Sequence, residues 1–292
     1  MYPVIIIDLK NKLEPLGTKE KFWVFDTSKQ IKRLFKIGRP NTGENWAEVV
    51  ACQIAHLLRL PTAEYQFAKF NDKLGTVSDS FIAQDEQLIH GNDLFVEIDN
   101  SYPITRFYKV KQYQIGTVFE LIQKITTTND ATPNGLHNFI GYLVFDCLIA
   151  NQDRHHENWG LIESTKGRRL LAPSFDHASG FANKVSEKEA TARKTTKDKN
   201  YTIKAFCANA KTPFYDKNGN NLSTLDVCRI AKEFNIRAFN YWTDQIANIS
   251  LQSIVSIFEQ VPNQFIKDYQ KEFSIEIIKE NITRLITLRN QK

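Results

Sequence analysis

Between residues 151 and 158 the chain reads Asn-Gln-Asp-Arg-His-His-Glu-Asn, and Asp176 follows 18 residues after Asn158. Moving a phosphoryl group between two oxygens asks little covalent help of a protein. It needs cationic charge beside the phosphate oxygens and a base that orients the attacking hydroxyl. Asn158 and Asp176 offer the hard oxygen donors that Mg2+ prefers. Asp153 suits the proton acceptor, and His155 suits a brace that holds the loop by hydrogen bonding.

A second set lies nearer the N-terminus. Lys36 ends an apolar run, where its ammonium can reach ATP phosphates, and Glu48 on the segment that follows can pair with Lys36 and hold it. The turn from Leu16 to Lys21 contains Gly17, Thr18 and Lys19; its backbone amides can cover phosphates, with Lys19 or Lys21 adding charge. Having one glycine, this turn is a weak phosphate loop by itself. ATP and Mg2+ are the cofactors the two sets require.

Each residue taken alone has an ordinary reading. Lys36 could be a solvated strand-end lysine and Glu48 an exposed helix residue, while Asp153 and Asn158 are types that favour loops and caps on local hydrogen-bonding grounds. Their order along the chain argues for the joint reading. His155, His156 and His177 with Asp153 and Asp176 could instead be imagined as a transition-metal hydrolase site, whereas His56, His90 and His137 are scattered and read as ordinary core or surface histidines.

These residues need elements to position them. Apolar runs over 4–8, 22–26 and 33–37 predict strands, followed by a helix after Thr42-Gly43 that carries Trp46, Val50, Ile54, Leu57 and Leu58 at helical spacing and ends before Pro61. Further strands are expected over 64–70, 76–83 and 86–89. Helical patterns begin near residue 114, and Leu136, Ile140, Leu143, Val144 and Cys147 share one face of the helix that runs into the 151–158 loop. Two short strands, 159–163 and 169–172, lead to Asp176. Residues 183–200 combine many charges with almost no large apolar side chains, which predicts a mobile loop, and helical stretches return from Ser223 onward. The fold class expected is α+β and bilobed, with a small β-rich lobe over 1–92 that binds nucleotide and a larger helical catalytic lobe over 93–292.

Composition sets the outer bounds. A chain of 292 residues, 42% hydrophobic, can bury one large core or two lobes. No run is long and apolar enough for a membrane span, and the opening residues lack the pattern of an export signal, so a soluble, unexported protein is expected. Cys52, Cys147, Cys207 and Cys228 are widely spaced, as for core packing in a reducing compartment. A formal net charge of +5 falls short of a nucleic-acid-binding stripe, and no helix-turn-helix reader is evident, so direct nucleic-acid binding is not expected.

At FKIGRPNTGENWAEVVACQIAHLLRLP, DCLIANQDRHHENWGLI and LLAPSFDHASGF the sequence resembles the HipA-like serine/threonine kinases, particularly the short HipT type. The resemblance implies a protein-kinase-like fold in which Lys36 binds phosphate, Asp153 is the catalytic aspartate, His155 supports its loop, and Asn158 with Asp176 binds Mg2+. Adenine is then expected against the connecting segment from Gln84 to Gly91, including Glu86 and Leu88. It further implies a toxin kinase of the bacterial cytoplasm that phosphorylates a protein such as an aminoacyl-tRNA synthetase. A DNA-binding HipB-like antitoxin and a small HipS-like protein are its implied partners. The sequence leaves delivery into another cell open. The DRHHEN stretch also resembles the loop of phosphoinositide kinases, which makes a lipid kinase the alternative; a third reading is a kinase fold used as an inactive binding module. Two departures from the pattern are a 16–21 turn without a serine-rich phosphate loop and His177-Ala178 directly after Asp176.

Overall fold

The computed structural model describes residues 1–7, 12–15, 21–126 and 135–291. Strand β3 (Lys21–Asp26) buries Phe22 and Val24, and β4 (Ile31–Lys36) buries Arg33 and Phe35. Because strand side chains alternate, the two faces of these strands serve different ends. Phe22, Val24 and Phe35 close an apolar cluster with Phe70 and Val77, in which the Phe22 and Phe70 rings meet edge-on at 4.9 Å. Lys36 pairs with Lys21 on one side and Thr76 on the other, in the register that sets Leu34 opposite Trp23, so these residues share the second face.

Strands β1 (Val4–Ile6), β2 (Lys12–Pro15), β5 (Tyr65–Phe70) and β6 (Lys73–Asp79) complete a six-stranded sheet of order β1-β5-β6-β4-β3-β2. The β1–β5 pair is parallel and the other pairs are antiparallel. Helix α1 (Glu44–Leu57) packs on β5 and β6 and is buried at Trp46, Val50 and Ile54, with the Trp46 ring against Phe181 and Phe258 at 5.9 and 6.2 Å, and the chain turns away at Arg59, whose φ is 55°.

The strand expected over 76–83 starts and ends earlier. Beyond Asp79 the Ser80 hydroxyl accepts from the Ile82 amide at 3.3 Å, and Phe81 leaves the sheet to stack on Phe175 with centroids 5.8 Å apart. The next strand, β7 (Glu86–His90), pairs antiparallel with β8 (Gly160–Ser164), which in turn pairs with β9 (Arg169–Leu171). The first half of the chain thereby supplies an edge to the hairpin that leads toward Asp176.

The rest is mostly helical. Helix α4 (Gly135–Leu148) is buried along most of its length and is surrounded by α3 (Ile115–Thr126), α7 (Thr224–Phe234), α8 (Ile236–Ala247) and α10 (Asp268–Asn290). Gly141 is required where α8 crosses it, since a Cβ there would lie 2.4 Å from the Trp242 indole. Helix α2 (Gly91–Ile98) follows β7 directly, while α9 (Leu251–Glu259) packs on α1. A hairpin of β10 (Lys211–Tyr215) and β11 (Asn221–Ser223) went unread in the sequence. All four cysteines are buried and free. Among the described residues no helix is long and apolar enough to cross a membrane.

The mobile loop expected over 183–200 is corrected: it holds helix α5 (Glu187–Thr195). Ser186 caps it by accepting from the Glu189 amide, Ala190 is buried, and Lys194 reaches Glu272 of α10 at 2.7 Å. Arg193 lies over the rings of Tyr201 and Phe206, the latter on α6 (Ile203–Ala208), at 4.3 and 5.1 Å. Docking through long charged side chains explains how a segment poor in apolar residues is ordered.

Candidate active site

The 151–158 loop is built on Arg154. Helix α4 ends at Leu148, and Asn151 turns back so that its amide and side chain both bond Asp146 at 2.8 Å. Arg154, 1% exposed, meets the same carboxylate at two points, Nε to Oδ2 at 2.7 Å and Nη2 to Oδ1 at 2.8 Å. Its Nη1 donates to the carbonyls of Asn158 at 2.7 Å and Phe175 at 3.1 Å, and Nη2 also reaches Ser174 Oγ at 3.0 Å. One guanidinium therefore fixes the end of the loop against the residue that precedes Asp176.

This frame presents Asp153 with its side chain partly exposed. The Asp153 amide donates to Asn151 Oδ1 at 3.3 Å, and Asn158 Nδ2 closes the loop on the Asp153 carbonyl at 2.6 Å, which leaves the Asn158 amide oxygen as an acceptor. Tyr108 donates its hydroxyl to Asp153 Oδ1, and Ser179 Oγ lies 3.4 Å from Oδ2. His155 Nδ1 accepts from the Glu157 amide at 3.2 Å, and Nε2 stands 4.0 Å from Asp153 Oδ1. Burial holds His155 below the usual histidine range although Asp153 pulls the other way. His156 points elsewhere, its Nδ1 2.7 Å from the Tyr102 hydroxyl. Two amides at the start of α2 clamp the loop, Gly91 N on the Trp159 carbonyl and Asn92 N on that of His156, both at 3.1 Å. A Cβ at Gly91 would lie 2.6 Å from the His156 oxygen, so glycine permits the approach.

From the sheet side, Lys36 Nζ stands 3.8 Å from Asp176 Oδ1 and 3.9 Å from Glu48 Oε1. It also lies over the Tyr65 ring at 5.7 Å. Both carboxylate separations exceed hydrogen-bond length, so the contacts are of charge rather than direct bonds. Burial works against the Lys36 ammonium, but Asp176, Tyr65 and Glu48 outweigh it and hold its pKa above the lysine range. Burial raises Glu48, opposed by Lys36 and by the His177 amide, which donates to Oε2 at 2.8 Å. Asp176 adopts φ 60°, a backbone region that aspartate tolerates, and its amide bonds the Tyr65 hydroxyl at 3.3 Å. His177 is fully buried, with Nε2 2.7 Å from Ser174 Oγ; burial keeps it far below the usual histidine range.

The donor chemistry suits a hard divalent cation. Asn158 and Asp176 carry amide and carboxylate oxygens of the kind such a cation takes, and the buried Glu48 Oε1 faces the ammonium from 3.9 Å. His156 and His177 each meet protein through one ring nitrogen, His156 Nδ1 at the Tyr102 hydroxyl and His177 Nε2 at Ser174 Oγ.

A cavity of about 960 Å³ opens where Trp23, Phe25 and Lys32 of the sheet face Ser80, Ile82, Ala83, Gln84 and Glu86 of the connecting segment. Glu86 thus lines the expected adenine region, and its Oε2 accepts from the Ala83 amide at 3.0 Å. Leu88 lies two residues on, opposite Ile162 in the β7–β8 pairing. Gly17, Thr18 and Lys19 fall outside the described residues.

Sequence reasoning missed Asp146, Arg154 and Tyr108. A lone carboxylate in the apolar helix that enters the loop, eight residues before Arg154, was a readable signal for the first two. Tyr108 carried none.

A family model described as the HipA-like C-terminal domain matches residues 14–265. No curated protein matches by sequence. Among solved structures, the chain is similar to a Helicobacter pylori proinflammatory kinase, CtkA, with 19% identity and a TM-score of 0.76 over 98% of this chain and 97% of that one. It is also similar to a chain of the Shewanella oneidensis MR-1 toxin–antitoxin complex of HipA, HipB and operator DNA, with 14% identity and a TM-score of 0.60 over 100% of this chain and 70% of that one. At these identities the likeness is one of fold, and it makes this fold kinase-like, with a β-rich N-terminal part and a helical C-terminal part.

Proposed function

Because the chain belongs to the HipA-like C-terminal domain family, we propose that it is a protein kinase that transfers the γ-phosphoryl group of ATP to a serine or threonine hydroxyl. The observation that carries this reading is the placement of Lys36 Nζ between Glu48 and Asp176, at 3.9 and 3.8 Å, beside a loop that presents Asp153. In this reading residues 1–92 form the nucleotide lobe and 93–292 the catalytic lobe, with adenine in the cavity bordered by Glu86.

The acceptor hydroxyl attacks the γ-phosphorus as its proton passes to an Asp153 oxygen. The new O–P bond forms while the bond to the β-phosphate oxygen breaks, and ADP leaves with that electron pair. Lys36 orients the phosphates, Glu48 restrains Lys36, and His155 with Asn158 keeps Asp153 in place. Asn158 and Asp176 would hold Mg2+, which supplies neutralising charge to the phosphate oxygens.

The HipA and HipB complex among the similar structures supports a role as the toxin of a toxin–antitoxin pair, with a HipB-like protein as the restraining partner. The acceptor class is a protein, for which an aminoacyl-tRNA synthetase is a candidate to assay, and the setting is the bacterial cytoplasm. A HipS-like small protein would be a further partner.

Incubation of the purified chain with γ-labelled ATP and Mg2+, against bacterial lysate and against phosphoinositide vesicles, tests the proposal. Label on a protein band, released as phosphoserine or phosphothreonine, is expected. Label on lipid alone, or no label from a folded chain, would sink it.

A further inference from the structure

Asp153 can take a proton from an acceptor hydroxyl only if that hydroxyl reaches its carboxylate. Tyr108 already makes that bond: its hydroxyl donates to Asp153 Oδ1. Burial and the Asp153 charge keep the phenol protonated, above the usual tyrosine range, so it remains a donor.

The segment that delivers Tyr108 is built as a strap. Tyr102 pins one end, its hydroxyl on His156 and its ring stacked on Phe95 at 4.6 Å. Tyr113 pins the other: its hydroxyl accepts from Trp159 Nε1 at 2.8 Å and donates to the Arg154 carbonyl at 3.1 Å. Between the pins the chain is held by local turns, Arg106 N to Pro103 O at 3.1 Å and Tyr113 N to Val110 O at 3.0 Å, and it reverses at Lys109 with φ 60°. The middle leans on the catalytic loop through the rings of Phe107 and Tyr108, 5.0 and 6.0 Å from His155. Ile104, Phe107 and Tyr108 are nonetheless 39, 40 and 55% exposed, three large apolar or aromatic side chains on the strap that bonds the base. A strap pinned at its ends and solvent-exposed at its middle can lift locally without unfolding the lobe.

We propose that Tyr108 stands in for the acceptor: in the resting chain it blocks Asp153, and a protein segment gains the base by lifting Tyr108 and lying along Ile104 and Phe107. The acceptor class this fits is a hydroxyl residue flanked by an apolar side chain. The inference rests on the kinase reading above.

The test compares the native chain of 292 residues with Tyr108→Phe and Tyr108→Ala, using γ-labelled ATP, Mg2+, and dephosphorylated casein or lysate proteins as acceptors. Melting curves of each form check folding. Tyr108→Phe should raise kcat/KM for the protein acceptor about three- to tenfold, the effect of one competing hydrogen bond. KM for ATP should stay unchanged, and Tyr108→Ala should gain at least as much. Native and Tyr108→Phe chains transferring label equally would overturn the inference while leaving the kinase reading intact. A lower kcat in Tyr108→Phe would also overturn it, making Tyr108 a positioning residue for Asp153. No transfer by any folded form would remove the kinase reading, and this inference with it.

Discussion

Arg154 and Asp146 form a buried ion pair with two contacts, 2.7 and 2.8 Å, and the guanidinium donors that remain tie Asn158 to Phe175. The 151–158 loop and Phe175, the residue before Asp176, therefore share one fixed point. Truncating one partner strands a buried charge, so Arg154→Ala should cost about 3–5 kcal/mol of unfolding free energy. Urea denaturation would measure it; a loss below about 1 kcal/mol would mean that the loop is held by other contacts.

Lys36 and Glu48 make a second pair whose members depend on each other. Lys36→Met leaves the 3%-exposed Glu48 side chain without its cation, 3.9 Å away in the native chain. The single variant should lose both stability and nucleotide binding. Adding Glu48→Gln should restore most of the stability and none of the nucleotide affinity. Calorimetric titration with an ATP analogue, run beside denaturation of both variants, separates the two effects; recovery of affinity in the double variant would contradict the assigned role of Lys36.

His156 gives the fold a pH dependence of defined sign. Burial, with His155 and His90 adding to it, lowers its pKa from 6.5 to about 4. The unfolded chain then takes up a proton first as pH falls, so the stability that His156 contributes is present above pH 6.5 and is lost as pH falls toward 4. Replacing the ring by His156→Gln should flatten the slope of stability between pH 7 and 5 relative to native. Parallel slopes would assign the dependence to other groups.

Helix α5 depends on its cap. Ser186 accepts from the Glu189 amide, and its removal by Ser186→Ala should cost about 1 kcal/mol locally. Faster proteolysis within 183–200, with little change in global melting, is the expected sign. An unchanged cleavage rate would show that docking on α10 suffices.

How much was readable follows from the range of each interaction. Asp153, Asn158 and Asp176 could be picked out because one loop and one hairpin set their spacing, and the strand and helix that carry Lys36 and Glu48 show in the apolar pattern. Their mutual distances depend on contacts between distant parts of the chain, such as the His177 amide on Glu48, 129 residues apart, which a linear pattern does not encode. The 183–200 segment was misread because composition outweighed a local signal: Ser186-Glu187-Lys188-Glu189 fits a capping-box sequence. The strand limit near Asp79 failed for a related reason, since Phe81 looks like a strand residue but turns toward Phe175. The Tyr108 contact joins residues 45 apart in sequence through an irregular strap, where no periodicity exists to read.

In the proposed kinase Asp153 serves the chemistry while Asp176 serves the cation, and measuring binding apart from turnover separates the two roles. Affinity for ATP with Mg2+ and the rate of γ-phosphoryl transfer to protein would be measured for the native chain, Asp153→Asn and Asp176→Asn. Asp153→Asn should keep Mg2+-dependent ATP affinity within about threefold while transfer falls by about 10²–10⁴-fold, and Asp176→Asn should lose the Mg2+-dependent part of the affinity itself. Transfer by Asp153→Asn within a few-fold of native, or Mg2+-dependent binding untouched by Asp176→Asn, would contradict these roles.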